Sequence, residues 1–288
     1  MKKIYLPVLF FVFALLPLSA QDLSERIGIC TSIAHDAILK SAGCSYLEIG
    51  IREFFVPEQP DSAFVSNRKE ALACVLPLST GNLFFPGDMR LTGPEVDLEA
   101  TLRYVEAAMR RAQQTGTEIF VLGSGGSRRV PDGFDRAEAV AQFTELCRRI
   151  ALLGGKYGVV VVIEPLRMEE TNFIHTVREA LEIVRAVHHP NLQALADFYH
   201  MACMGEDAQA LVEAGAALHH CHIAEKDGRA APGVHGDDFT PYFRALKQIN
   251  YPGRLSIECS WTDMDEQAAT AVAEVKRQIK SVYGDTLR

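Results

Sequence analysis

Basic residues are in short supply: 29 Lys and Arg stand against 37 Asp and Glu, a formal net charge of −8 over 288 residues. That balance argues against a nucleic-acid partner, because phosphate backbones are bound by basic surfaces. No GxGxxG or GxxxxGK[ST] loop occurs, which removes the two common phosphate-cradling signatures. There is no HExxH zinc-protease motif and no nucleophile elbow. The seven cysteines, at 30, 44, 74, 147, 203, 221 and 259, include no CxxC pair, so no redox motif is indicated. Most lie inside apolar segments and read as small buried hydrophobes, with one or two disulfides as the alternative. No internal repeat, low-complexity tract or domain linker is visible. An apolar fraction of 48% is enough for one substantial core.

The first 20 residues, "MKKIYLPVLFFVFALLPLSA", differ from the rest. Lys2 and Lys3 precede an apolar run over 4–18, and Ser19-Ala20 precede the polar Gln21-Asp22. This is the pattern of a secretory signal peptide cut after Ala20. The expectation is an exported protein, periplasmic or secreted, with one domain over 21–288. No second run of spanning length follows, so no membrane partner is expected after cleavage.

Short β-rich runs alternate with helical patterns along the remaining chain. Strands are expected at 26–30, 45–50, 72–78, 117–123, 158–165, 191–197, 217–225 and 254–260. Helical periodicity covers 97–116, 135–158, 171–190 and 264–284, with Asp97 as a cap, Gly116 as a stop and Pro190 ending the third. Eight such units fit an α/β fold of the (β/α)8 TIM-barrel type, with a doubly wound open sheet as the rival. The segment 79–94, "STGNLFFPGDMRLTGP", reads as an ordered loop over the barrel mouth. Its apolar "GNLFFPG" suits a lid or a homo-oligomer interface.

In a TIM barrel, chemistry gathers where strands end. The polar groups at those ends are Glu48, Glu164, Asp197, His220, His222, Glu225 and Glu258, with Glu170 and His200 shortly beyond. Glu164, Asp197, His222 and Glu258 come one from each of four successive strands. Three carboxylates at one mouth would repel one another, and a divalent cation removes that penalty. The oxygen-rich set with one imidazole suits Mn²⁺ first, with Mg²⁺, Co²⁺ or Zn²⁺ as alternatives. Strand alternation turns His220 and His222 to the same side and His219 to the other. His35 is placed to line the mouth, and His188 and His189 fall on a surface turn. The glycine-rich "GSGGSRRVPDG" at 123–133 could shape the substrate site or cradle an anion through its amides, with a flexible turn as the alternative.

The segments "RIGIC", "LEIG", "IEPL", "ADFYH", "HCHIAEKDGRAAPGVHGDDF" and "YPGRLSIECS" together resemble the xylose-isomerase-like TIM barrels. Within them the chain is most similar to the sugar isomerase/epimerase branch that holds ketose 3-epimerases and hydroxypyruvate isomerases. The resemblance implies Glu164, Asp197, His222 and Glu258 as metal ligands. It implies substrate contacts from Glu170, His200 and Arg229, the last seven residues beyond His222; His220 is added as a fourth from the strand alternation. The family's Asn-Arg after Glu-Pro-Leu is Arg167-Met168 here, a departure at the usual sugar contacts.

The chemistry expected is proton transfer beside the carbonyl of a ketose or related keto-sugar. Glu164 and Glu258 would carry the proton through an enediolate. Return to the opposite face gives epimerisation, and return to the next carbon gives aldose–ketose isomerisation. A lyase or dehydratase would use the same first step and then expel a β-leaving group. An endonuclease-like barrel would want more histidines and a basic face. A secreted carbohydrate-binding protein with an inactive site is the non-enzymatic reading.

Overall fold

Apolar strands of four to six residues need cover on both faces. Here they receive it by closing on themselves inside a ring of helices. In the computed structural model, which describes residues 22–284, eight strands pair in parallel and in chain order, and β1 closes onto β8. They are β1 Ile27–Cys30, β2 Tyr46–Gly50, β3 Leu78–Asn82, β4 Ile119–Leu122, β5 Val160–Ile163, β6 Leu192–Asp197, β7 Leu218–Ile223 and β8 Arg254–Ile257. The expected (β/α)8 barrel is the observed fold.

The barrel interior is divided. Ile119, Val121, Val162 and Leu195 fill the side formed by β4, β5 and β6 with apolar side chains. The opposite side is a polar plug. Tyr46, Glu48, Thr80, His220, His222 and Ser256 are buried there and hydrogen-bonded to one another. Gly28 makes room for the plug: a Cβ at that position would lie 2.4 Å from the Tyr46 ring. A larger apolar cluster lies between the barrel and its helices.

The third strand departs from its expected place. Residues 72 and 73 finish the helix Asp61–Ala73, and β3 begins only after Pro77. Proline brings no N–H to the ladder. The amides of Val75 and Leu76 instead bond the Asp36 carboxylate at 2.7 and 2.8 Å. The expected helix over 171–190 is shorter, Val177–Val187, opened by a Thr176–Glu179 capping box and closed at His188 in a left-handed turn. The expected loop over 79–94 contributes its first residues to β3. Phe84 and Phe85 are buried against Tyr104, so they form core rather than a lid.

In the glycine-rich segment after β4, Arg129 is exposed and Arg128 is not. That side chain is buried and donates to the Leu122 and Ile174 carbonyls at 3.1 and 3.4 Å. All seven cysteines are free thiols, which removes the disulfide alternative. The expected signal peptide lies outside the described residues. Among the described residues no helix is long and apolar enough to cross a membrane.

Candidate active site at the strand ends

Asp197 is the last residue of β6 and also caps the helix Phe198–Met204. Its Oδ1 accepts the Tyr199 amide at 2.8 Å, which fixes the carboxylate and leaves Oδ2 toward Arg229 and His200. Glu164 follows β5, His222 lies in β7 and Glu258 follows β8. The strand ends bring all four together: one donor atom from each lies within 4.8 Å of the others. His222 Nδ1 is 3.0 Å from Glu164 Oε1 and 3.1 Å from Glu258 Oε2. Gly123, just past β4, is what allows Glu164 to sit there, since a Cβ on it would stand 2.2 Å from Glu164 Oε2.

Below this quartet lies Glu48, which sequence reasoning placed at a strand end without giving it a role. It is fully buried and accepts four hydrogen bonds. His222 Nε2 reaches Oε1 at 2.9 Å, while His220 Nε2, Thr80 Oγ1 and Ser256 Oγ reach Oε2 at 2.8, 2.8 and 2.6 Å. Burial opposes its charge, but His222 and His220 outweigh that and hold its carboxyl well below the ordinary range. His220 is therefore a member of the plug. It is fully buried one layer below the mouth, which corrects its expected role as a substrate contact. Alternation turns 220 and 222 to the same side, but only 222 is high enough in the strand to meet Glu164 and Glu258.

Charge at the quartet is balanced by two cations. Burial works against a charged His222, yet Glu48 and Glu258 prevail and raise its pKa well above the ordinary imidazole value. Burial, then the neighbouring Glu258, pushes the Glu164 carboxyl up. Glu258 is desolvated too, but His222 and Arg229 bring its carboxyl down to about 2. The Arg229 guanidinium bonds Glu258 Oε2, lies 3.3 Å from Asp197 Oδ2 and rests 5.0 Å from the centre of the Tyr199 ring. It stands on a left-handed backbone, φ 52°, next to Gly228. A divalent ion bound to these three carboxylates and to His222 Nδ1 would supply the compensating charge that a proton and Arg229 supply here. The donor set fits such an ion.

His200 and Glu170 are brought to the edge of the same site. His200 Nδ1 accepts the Arg167 amide at 3.2 Å, so its proton sits on Nε2. That Nε2 is buried without a hydrogen-bond partner, 3.6 Å from Asp197 and 4.0 Å from Glu170. Arg167 holds Glu170 through a 3.0 Å contact. Asn82, the last residue of β3, donates to Glu258 Oε1 at 2.8 Å. It was missed because the third strand was set too early, and the signal that would have revealed it is Pro77 read as a strand start. Glu225 is not in the site. It is buried and pins the following loop by accepting the Gly233 and Gly236 amides at 2.7 and 3.0 Å. His35 sits in the loop after β1, 3.0 Å from Thr31 Oγ1.

Fold and site together define a (β/α)8 barrel with a carboxylate–imidazole centre at the C-terminal ends of its strands. The chain belongs to the xylose isomerase-like TIM barrel family, whose sequence model matches residues 37–281. Relatives include a human protein provisionally named a hydroxypyruvate isomerase, 29% identical over 77% of this chain and 82% of its own. An L-ribulose 3-epimerase from Methylomonas sp. is 29% identical over 50% of this chain; the alignment spans 56% of that enzyme's length. Among solved structures, a D-allulose 3-epimerase from Methylomonas sp. superposes with a TM-score of 0.76 over 88% of this chain and 97% of its own, at 23% identity.

Proposed function

We propose that the protein is a divalent-metal-dependent isomerase or epimerase acting on a ketose or related keto-sugar. The observation that carries this reading is the meeting of Glu164 and Glu258 at one histidine atom, from strands on different sides of β7. Two carboxylates so placed can address the two faces of a flat intermediate. The names of the relatives, ketose epimerases and hydroxypyruvate isomerases, support the same substrate chemistry.

Glu164, Asp197, His222 and Glu258 would hold the ion, with Mn²⁺ the first choice for an oxygen-rich set. Bound there, it would polarise the substrate carbonyl and steady the charge left when the neighbouring proton departs. The remaining work falls to the chain. One of Glu164 and Glu258 takes the proton from the carbon beside the carbonyl, leaving an enediolate. Return of a proton by the other from the opposite face gives epimerisation, whereas return of the proton to the next carbon gives isomerisation. His200 Nε2–H, buried and unpaired, is a donor held ready for a substrate oxygen. Glu170, braced by Arg167, faces it, and Arg229 can move from the carboxylates to a substrate hydroxyl. Export is part of the proposal and rests on the sequence of residues 1–20.

The test is exchange in D₂O. Residues 21–288 are incubated with a panel of ketoses and keto-sugars, with Mn²⁺ or with EDTA, and followed by NMR. Metal-dependent deuterium uptake beside the carbonyl is expected. Product identity then separates epimerase, isomerase and lyase. Bound metal without uptake across the panel would refute proton transfer as the function.

A further inference from the structure

A cleft of about 440 Å³ opens beside the quartet, under the ends of β1, β2 and β3. Glu258 and Asn82 form the wall it shares with the site, while Glu164, Asp197 and His222 do not line it. Resting on the proposed function, the reacting carbonyl end of the substrate must lie over the quartet. The cleft therefore receives only what hangs from the far end. By the ~30 Å³ that each liquid water occupies, it would hold roughly fifteen waters. The tail of a single free ketose, three carbons and their hydroxyls, leaves most of that space unfilled.

Its chemistry narrows the occupant further. No lysine, arginine or histidine lines the cleft among the described residues, whereas Glu53, Glu70 and Glu258 all do. Arg229, the nearest site cation, is engaged with Glu258 and Asp197 on the other side of the wall. A phosphate or a uronate carboxylate would meet the like charges of Glu53 and Glu70 with no cation in the cleft lining. The walls are amphipathic in the way sugars are: Ile33, Phe54 and Leu83 offer apolar surface, and the carboxylates accept from hydroxyls. Leu83 holds a left-handed backbone, φ 50°, and is 49% exposed. It and Glu53 face each other across Gly50, where a Cβ would lie 3.7 Å from Leu83 Cδ1 and 3.9 Å from Glu53 Oε2.

We infer that the substrate is an extended, uncharged keto-sugar, a glycoside or oligosaccharide-derived ketose whose second ring occupies this cleft, and that phosphorylated sugars are rejected. The experiment measures binding and turnover separately on three ligand sets: free ketoses, their terminal phosphates, and keto-glycosides with a second ring. Saturation-transfer NMR and titration calorimetry give affinity with and without Mn²⁺, and D₂O exchange gives turnover. The keto-glycosides should bind at least about tenfold more tightly than the free ketoses, and the phosphates most weakly. Ile33→Trp, which takes volume from the cleft, should lower the glycoside-to-ketose affinity ratio. The paired change Glu53→Lys and Glu70→Lys should raise the phosphate-to-ketose ratio by a similar factor. Equal or better binding of phosphates or free ketoses overturns the inference, while exchange on those ligands leaves the epimerase reading standing. Tight glycoside binding without exchange on any ligand does the reverse. Neither binding nor exchange removes both.

Discussion

Glu48→Gln is the sharpest perturbation of the site, because it alters no proposed ligand and changes almost no volume. A metal-binding imidazole must present a lone pair on one nitrogen, and its partner on the other nitrogen decides which. Here Nδ1 faces the two carboxylates and Nε2 faces Glu48 at 2.9 Å. Glu48 thus fixes the tautomer and raises the basicity of the ligand atom. Glutamine offers a neutral acceptor to His222 only if its amide NH₂ faces His220, Thr80 and Ser256, which now donate to Glu48. The two hydroxyls can turn to accept. His220 can do so only by moving its proton to Nδ1, which has no partner now. Outer partners of this kind are worth about 10- to 100-fold in metal affinity, or about 1.4–2.7 kcal/mol. Titration calorimetry with Mn²⁺ at mildly alkaline pH should show that loss, with a fall in melting temperature because the stabilising Glu48 charge is gone. Glu48→Ala is the poorer probe, since it strands four buried donors and should cost about 3–5 kcal/mol of stability. An unchanged Mn²⁺ dissociation constant in Glu48→Gln would refute the positioning argument.

Gly123→Ala should cost metal affinity on the order of tenfold or more while the protein folds normally, because its Cβ displaces only the mobile end of Glu164, 2.2 Å away; calorimetry and a melt read the two effects apart. Glu258→Gln should lower kcat by about 10²- to 10⁴-fold, the usual worth of a positioned acid or base, with deuterium exchange falling in step. The metal-free protein should lose stability as pH rises. The His222 pKa is raised in the fold, so its contribution is fully present below the ordinary imidazole value and disappears as pH climbs through the raised one. Mn²⁺, which competes with the proton on Nδ1, should therefore raise the melting temperature more at alkaline than at acidic pH. Glu48 works in the other direction: its lowered carboxyl gives stability above the ordinary glutamate value that is lost in acid.

Where sequence and structure agree, the reason is local. Seven strands were legible because most are short apolar runs bounded by polar turns, and the barrel followed from the count of strand–helix units. The four quartet residues were legible because polarity at the end of an apolar strand is conspicuous, and a barrel sends consecutive strand ends to one place. The third strand was hidden for the same reason in reverse. "LSTGN" carries one large apolar side chain, since its inward positions serve the polar plug and the site, while "LACV" before it looks like a strand and is a helix end with a tether to Asp36. Asn82 disappeared with it.

The harder case is Glu48. Its position at a strand end was plain, but a carboxylate there reads equally as ligand, base or rim residue. What separates these is depth along the barrel axis, and depth depends on stagger between strands far apart in sequence. Glu48 is level with Thr80 in the β2–β3 ladder, and His222 is level with Ser256 in the β7–β8 ladder. Only closure of β1 onto β8 brings those two ladders across the lumen, where Ser256 and both histidines reach the same carboxylate. A chain can thus advertise which groups sit at its catalytic face, because that follows from strand order. Which of them touches substrate and which holds another in place follows from register around a closed barrel, and that is a property of the whole ring.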